Sequence, residues 1–372
     1  MRAISQGDVF TIYSDSLKTY DQLPAQVYNV RLSKQNGFFL EVTTPLEIKE
    51  AKVYGVHDAK CNKVLHAFKE YDRNLGVILS GDKGIGKSLF AKLLSIRAIE
   101  AGYPLLVVDT YLPGIASYIQ SIEQECVVMF DEFDKTFGEV HAEDGRATPQ
   151  TELLTLFDGM VMGKKMFVIT CNSLSKLNEF LVNRPGRFHY HFRFDYPSPA
   201  EITEYMQDKL PEQYWGEIRD VVSFSRKVKL NYDCLRAIAF ELTLGLSFKE
   251  AISDLNIVNL EKDRYSIILK FENGMTAIGK CYMDMFSDGE EELWLTDRKG
   301  YDYVRISFDP SSAEWNDKVL ANVIMPDDFT LTWSVFDEDE PEVKALVEAA
   351  KASKPMYAAI KHDYAKSIHY AL

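Results

Sequence analysis

Apolar and polar residues change rhythm several times along this chain. Residues 1–52 alternate with a period of two, and stretches 9–13, 26–32 and 38–42 read as strands divided by turn signals at Gln35-Asn36-Gly37 and Pro45. This predicts a small β unit. From 57 to 74 the period lengthens to that of an amphipathic helix, with Cys61, Leu65 and Phe68 on one face. Short apolar runs then alternate with helical stretches. Strands are expected at 75–80, 105–109, 127–131, 167–170 and 192–194, and helices at 87–101, 115–125 and 151–161. Such an alternation implies a parallel sheet wrapped by helices. After Tyr196-Pro197-Ser198-Pro199, helices are expected at 199–210, 214–227, 232–244 and 248–255. From about 260 the texture turns to β, with strands expected at 266–271, 276–282, 291–295, 303–308, 319–324 and 330–335. A helix at 341–352 follows an acidic linker at 337–342, and the last 20 residues show no decisive period.

Composition adds boundaries rather than elements. A chain of 372 residues suggests two or three domains. With 46% apolar and 26% charged residues it falls among ordinary globular proteins. No apolar run reaches the roughly 18 residues of a membrane span, and the first ten residues lack a secretory-type apolar stretch, so a cytoplasmic location with no membrane partner is expected. The five cysteines form no Cys-x-x-Cys and no Cys/His cluster, which argues against a disulfide framework or a zinc site. Net charge is −14, and residues 261–372 carry 22 acidic against 13 basic residues. A broadly acidic surface disfavours non-specific nucleic-acid binding, though a local basic groove remains compatible with it.

The sharpest chemical signal is residues 81–88. Gly81-Asp82-Lys83-Gly84-Ile85-Gly86-Lys87-Ser88 fits the G-x-x-x-x-G-K-[ST] phosphate loop, and it lies between an expected strand and an expected helix continuing through Leu89. The glycines let backbone N–H groups turn toward a phosphate chain, and the helix N-terminus adds its positive end. Lys87 would reach the β- and γ-phosphates, and the Ser88 hydroxyl would hold Mg²⁺. Downstream, Val127-Val128-Met129-Phe130 is an apolar strand ending in Asp131 and Glu132. Carboxylates at the carboxyl end of a buried parallel strand lie where open α/β sheets bind ligands. Asp131 suits Mg²⁺ and Glu132 suits the polarisation of an attacking water. ATP with Mg²⁺ is therefore the expected cofactor pair. Asn62-Lys63-Val64-Leu65 does not complete the Asn-Lys-x-Asp guanine reader, which favours adenine.

Together these motifs resemble AAA ATPases over about residues 53–250. The resemblance implies an α/β fold: a P-loop parallel-sheet core at 53–196 with a helical lid at 197–258. A small N-terminal β domain at 1–52 and an acidic β-rich α+β domain at 259–372 would flank it. Asn172 matches the sensor asparagine that contacts the γ-phosphate or the lytic water. Asn183-Arg184-Pro185-Gly186-Arg187-Phe188 matches the arginine-finger segment, which implies that Arg184, with Arg187 as companion, serves a neighbouring subunit's site. Asp134 matches an acidic residue that faces the neighbouring subunit. Tyr54 and Gly55 fall where the family places its adenine pocket, and core packing explains them nearly as well. Arg236 matches a sensor-2 arginine or a solvated helix arginine. Tyr111, in Tyr111-Leu112-Pro113-Gly114, matches a pore loop or an ordinary turn. The stretch 151–159 is similar to mitochondrial Rieske-protein translocases, and the order of motifs is similar to AAA ATPases of tailed bacteriophages.

A finger acting in trans implies a homo-oligomer, a ring or spiral with six subunits usual in the family. The expected function is ATP-driven remodelling or translocation of a macromolecular client, protein in the first instance. A nucleic-acid machine of the clamp- or helicase-loader kind draws support from Lys164-Lys165 and from Arg226, Lys227 and Lys229. A third possibility is a nucleotide-gated scaffold that turns over slowly.

Overall fold

The computed structural model describes residues 2–48, 54, 57–138, 149–158, 163–182, 184–257, 263–285, 289–334 and 341–363. Two compact units divide the chain: Met1–Glu201 with Asn231–Asp233, and Ile202–Leu230 with Cys234–Leu372.

In the first unit, β1 (Arg2–Gln6) and β2 (Val9–Tyr13) form a two-stranded antiparallel sheet. Then come β3 (Val27–Ser33), β4 (Gly37–Val42), α1 (His57–Glu70), β5 (Leu75–Ser80), α2 (Lys87–Glu100), β6 (Leu105–Val108) and α3 (Ile115–Gln120). After them follow β7 (Cys126–Phe130), α4 (Phe133–Thr136), α5 (Pro149–Phe157), β8 (Lys165–Cys171) and β9 (Tyr190–Arg193). Seven strands make one sheet in the order β4-β3-β6-β7-β8-β5-β9. Only the β3–β4 pairing is antiparallel. The expectation of a self-standing β unit over 1–52 is therefore corrected. β3 and β4 extend the core sheet, Val27 pairing in register with Leu105, and only the β1–β2 hairpin stands apart.

Both faces of the central strands β5, β7 and β8 are covered, which is why these three read as unbroken, mostly apolar runs. Successive side chains point to opposite faces. Val77, Leu79, Val127 and Met129 pack with Phe68 of α1 and with Phe90 and Leu94 of α2. Ile78, Val128, Phe130 and Ile169 pack with Ile119 of α3, Phe133 of α4 and Phe157 of α5. The register aligns three strand ends: Ser80 pairs with Cys171, and Phe130 pairs with Ile169. The phosphate loop, the Asp131–Glu132 pair and Asn172 all leave the sheet at that one edge.

The helix α6 (Pro199–Lys209) begins in the first unit and continues in the second. It is followed by α7 (Ile218–Ser225), α8 (Tyr232–Thr243) and α9 (Phe248–Ser253), whose start carries a Ser247/Glu250 capping box. The rest of the second unit is β10 (Asp263–Phe271), β11 (Thr276–Met283), β12 (Glu291–Thr296), β13 (Asp302–Phe308), β14 (Glu314–Asn316), β15 (Ala321–Ile324), β16 (Phe329–Trp333), α10 (Pro341–Lys351) and β17 (Pro355–His362). Its eight strands pair antiparallel in the order β14-β15-β17-β10-β11-β12-β13-β16. Tyr265, Ile267, Leu269 and Phe271 share one face of β10 and pack in a core with Val343, Val347 and Ala350 of α10. Among the described residues, no helix is long and apolar enough to cross a membrane.

Candidate functional site

The loop after β5 is built for close approach to its own backbone. Gly81, Gly84 and Gly86 have φ of 141°, 73° and 98°, a region that side chains disfavour. A Cβ on Gly81 would lie 2.3 Å from the Phe194 carbonyl oxygen, and one on Gly84 would lie 2.6 Å from Asn231 Nδ2. Gly86 is the N-cap of α2, so Lys87 and Ser88 open that helix at its positive end. Asp82, Lys83 and Ser88 are exposed, while Ile85 and Lys87 are buried and Leu89 is half-buried.

Lys87 lies across the loop. Its Nζ donates to the carbonyl oxygens of Gly81 (2.7 Å) and Asp82 (2.5 Å) and to Asn172 Oδ1 (3.0 Å). Burial lowers its pKa below the ordinary lysine value, and Asp82, Asp134 and Asp131 oppose that shift. The sequence-expected phosphate lysine and sensor asparagine, 85 residues apart, are thus in direct contact.

The two carboxylates at the end of β7 are tied to β8 by a residue that sequence reading passed over. The Thr170 hydroxyl donates to Asp131 Oδ1 (2.6 Å) and accepts from the Glu132 N–H (2.8 Å). Glu132 adopts φ 48°, ψ 46° and caps α4. A left-handed glutamate costs about 1–2 kcal/mol, and the Thr170 bond holds it in place. Its half-exposed carboxylate pairs with Lys135 one turn further on.

Ser88 and Asp131 together offer a hydroxyl and a carboxylate. Mg²⁺ is commonly held this way, its remaining ligands coming from phosphate and water. Among the described residues no group of three His, Cys, Asp or Glu side chains is placed to hold a metal unaided. The donor set therefore fits a metal that arrives with a phosphate chain.

A second wall of the loop was also missed. Asn231 Nδ2 donates to the Lys83 carbonyl oxygen (3.3 Å), and the Tyr232 N–H donates to that of Gly84 (3.1 Å). The Tyr232 ring stacks on buried Tyr54, with centroids 6.1 Å apart. No local signal marked Asn231 or Tyr232, since their partners lie some 150 residues earlier in the chain. Gly55 lies outside the described residues. Arg236 is exposed on α8 in the second unit.

The geometry gives partners to four residues singled out in the sequence. Arg187 is buried, and its guanidinium forks onto Asp158 (Nη2 to Oδ2 2.7 Å, with Nε on Oδ1) while Nη1 donates to the Phe180 carbonyl oxygen (2.8 Å). Its donors are thus engaged within its own chain. Arg184 is exposed, its guanidinium 5.3 Å over the Phe180 ring. Asp134 does not face outward. It is 2% exposed and accepts from the N–H groups of Asn172 (3.1 Å) and Ser173 (3.2 Å). The Tyr111 hydroxyl donates to Glu152 (2.6 Å), and its ring packs edge-on against Phe137. Burial and then that bond push its pKa up to about 12, as for a tethered turn.

The members of both basic clusters have partners within the chain as well. Lys165 Nζ donates to the carbonyl oxygens of Ile122, Gln124 and Gly163, and Lys164 Nζ to those of Phe68 and Tyr71. Arg226 lies 4.0 Å over the Trp315 ring, Lys227 donates to the Ser311 carbonyl oxygen and Lys229 pairs with Asp263. These cations are not an open phosphate-binding stripe.

Residues 77–196 match the family model for the ATPase family associated with various cellular activities (AAA). The chain is 27% identical over 256 residues to a protein of Dictyostelium discoideum described as a ribosome biogenesis ATPase, nvl, covering 62% of this chain and 27% of that one. It is 32% identical over 212 residues to the ATP-dependent zinc metalloprotease FtsH of Mycoplasmoides gallisepticum, covering 52% and 26%. It is 26% identical over 209 residues to the FtsH 1 protease of Symbiobacterium thermophilum, covering 50% and 33%. The chain spans a quarter to a third of the length of these relatives. They are of other types than the phage ATPases that the order of motifs suggested and the Rieske-protein translocases that residues 151–159 suggested.

Proposed function

We propose, from the premise that residues 77–196 are an AAA ATPase domain that binds and hydrolyses ATP, that this chain uses hydrolysis to remodel or translocate a macromolecular client as a ring or spiral of copies. The observation that carries the reading is the meeting of Lys87, Asn172 and the Asp131–Glu132 pair at one sheet edge. Lys87 would leave the carbonyl oxygens of Gly81 and Asp82 for the β- and γ-phosphates, keeping Asn172 within reach. Backbone N–H groups from Gly84 to Ser88 would line the phosphate chain. Glu132 would release Lys135 and polarise the attacking water. Asn172 would orient that water or the γ-phosphate. When bound between Ser88 and Asp131, Mg²⁺ would neutralise phosphate charge. Tyr54 and Tyr232 form the nearest aromatic pair for the adenine. Arg184, exposed and stacked only on Phe180, would reach a neighbouring copy's site. Arg236 is proposed as a second sensor from α8.

A protein client is favoured over nucleic acid, because the two basic clusters at 164–165 and 226–229 already have partners within the chain. From the relatives we carry over ATP dependence alone; the sequence holds no His-Glu-x-x-His pattern of a zinc protease. The phage likeness rests on motif order and the Rieske-translocase likeness on residues 151–159.

The test is a pair of variants. Lys87→Ala should lose nucleotide binding. Glu132→Gln should keep it while turnover falls by at least about 100-fold. Normal hydrolysis by Glu132→Gln would refute the assigned base. Mixing Arg184→Ala with Lys87→Ala copies should restore part of the activity; no recovery in demonstrably mixed assemblies would refute the trans finger.

A further inference from the structure

Asp134 is a buried acid that the hydrolysis scheme does not use. It sits on α4, two residues after the proposed base, and only 2% of it is exposed. One carboxylate oxygen, Oδ2, accepts from the Asn172 N–H at 3.1 Å and from the Ser173 N–H at 3.2 Å. The other, Oδ1, is buried with no hydrogen-bond partner among the described residues. An unpaired buried oxygen costs about 1–3 kcal/mol, and a purely structural cap for two N–H groups does not require an anion. The chain therefore carries a charge here that folding alone does not explain.

The other end of Asn172 supplies the explanation. Its Oδ1 accepts from Lys87 Nζ at 3.0 Å. The backbone of the sensor residue is thus held by Asp134, while its side chain meets the phosphate lysine. Thr170, two residues before Asn172, is fixed separately to Asp131 and Glu132. Only the turn beyond Cys171 depends on Asp134. A carboxylate on two adjacent N–H groups makes charge-assisted bonds and fixes the direction in which the next side chain leaves the strand. A deviation of about 1 Å in such a group can lower turnover by about 100-fold.

We infer that Asp134 is a positioning residue, which fixes the Asn172 turn so that the Asn172 side chain meets Lys87 and the γ-phosphate region in reactive geometry. The inference rests on the hydrolysis reading above. Asp134 touches neither substrate nor metal in this scheme; it acts through Asn172. It also adds negative charge near Lys87, favouring the ammonium form against burial.

Asp134→Asn keeps the shape and removes the charge. In the full chain, its kcat for ATP should fall about 10- to 100-fold, with nucleotide affinity within about threefold of wild type, since less than about 0.7 kcal/mol of binding would change. Asn172→Ala should behave alike, and the double variant should be no slower than Asn172→Ala alone, because the two act as one unit. Amide hydrogen exchange at Asn172 and Ser173 should accelerate in Asp134→Asn. Wild-type turnover by a folded Asp134→Asn would overturn the inference. So would losses that multiply in the double variant, or unchanged exchange at the two amides. If wild type itself bound ATP without hydrolysing it, the hydrolysis reading would fall, and the amide exchange would still decide whether Asp134 holds the turn. Should Asp134→Asn fail to fold, Asp134→Glu tests the same geometry. That variant keeps the charge but displaces the oxygens, and it should also lose kcat with affinity retained; wild-type kcat in it would overturn the inference.

Discussion

The two large sheets of this protein solve burial in different ways, and the difference locates the chemistry. The seven-stranded sheet is covered on both faces at its centre, where strands β5, β7 and β8 are buried at every position. Its faces are used up by packing, so reactive side chains are left to the loops at the strand ends. Parallel strands send those loops to the same edge, which is how residues 81–88, 131–134 and 172 converge. The eight-stranded sheet is antiparallel, and β10 alternates between buried and more exposed positions. Its turns are divided between two edges, and cross-strand ion pairs such as Arg305–Glu292 lie on its partly exposed positions.

The comparison breaks most visibly if an arginine from the wrong sheet controls turnover. Arg184→Ala should lower ATP hydrolysis by about 1,000-fold, the scale of a lost arginine finger, with the thermal midpoint unchanged. Arg305→Ala, in the antiparallel sheet, should leave hydrolysis within about twofold, since an exposed pair is worth at most about 1 kcal/mol. Arg187→Ala should show the opposite pattern to Arg184→Ala. Its loss removes the bonds of a buried guanidinium to Asp158 and the Phe180 carbonyl, a cost of about 1–2 kcal/mol, which a denaturant titration would register. Equal loss of turnover at equal stability for both arginines would return Arg187 to the finger.

That pair also shows what could be read from the sequence and what could not. The phosphate loop was legible because its signal is local: eight contiguous residues between a strand and a helix. Asp131, Glu132 and Asn172 were legible from their order. The partners of Arg187 and Asp134 were not legible, because motif order fixes a position in the chain, not a partner. Asp158 and the Asn172 amide, which decide their roles, are 29 and 38 residues away. Thr170, Asn231 and Tyr232 carry no pattern at all. At the fold level, the α/β core and six C-terminal strands were legible from periodicity. β17 was not, because Pro-Met-Tyr-Ala-Ala-Ile-Lys-His lacks clean alternation, yet it lies between β15 and β10 within the sheet. β3 and β4 were recognised as strands, but alternation cannot say which sheet a strand joins.

A smaller effect sharpens the contrast between the sheets through adjacent residues. Met129 and Phe130 are neighbours on β7 and belong to opposite faces, both buried. Each truncation to Ala should therefore be expensive, about 2–5 kcal/mol for Met129 and 3–5 for Phe130. On β10, Leu269→Ala should cost about 2–5 kcal/mol, while Lys270→Ala next to it, on an exposed position, should stay within about 0.5 kcal/mol. Urea midpoints of the four variants measure this. A cheap Met129→Ala would mean that one face of the parallel sheet is open.

The mildest probe needs no substitution. Cys61, Cys126 and Cys171 are buried in the first unit, and burial pushes each thiol up to about 12. The thiolate is the reactive form, so at pH 8 about one part in 10,000 of these groups would be ionised, and access is closed besides. Cys234 and Cys281, in the second unit, are partly exposed. A thiol reagent at pH 8 should therefore modify two cysteines in the native protein and five after unfolding. Because Cys171 directly precedes Asn172, its modification rate doubles as a gauge of how tightly the end of β8 is held. Fast labelling of Cys171 in the native chain would show that edge opening, and with it the alignment of strand ends on which the site depends.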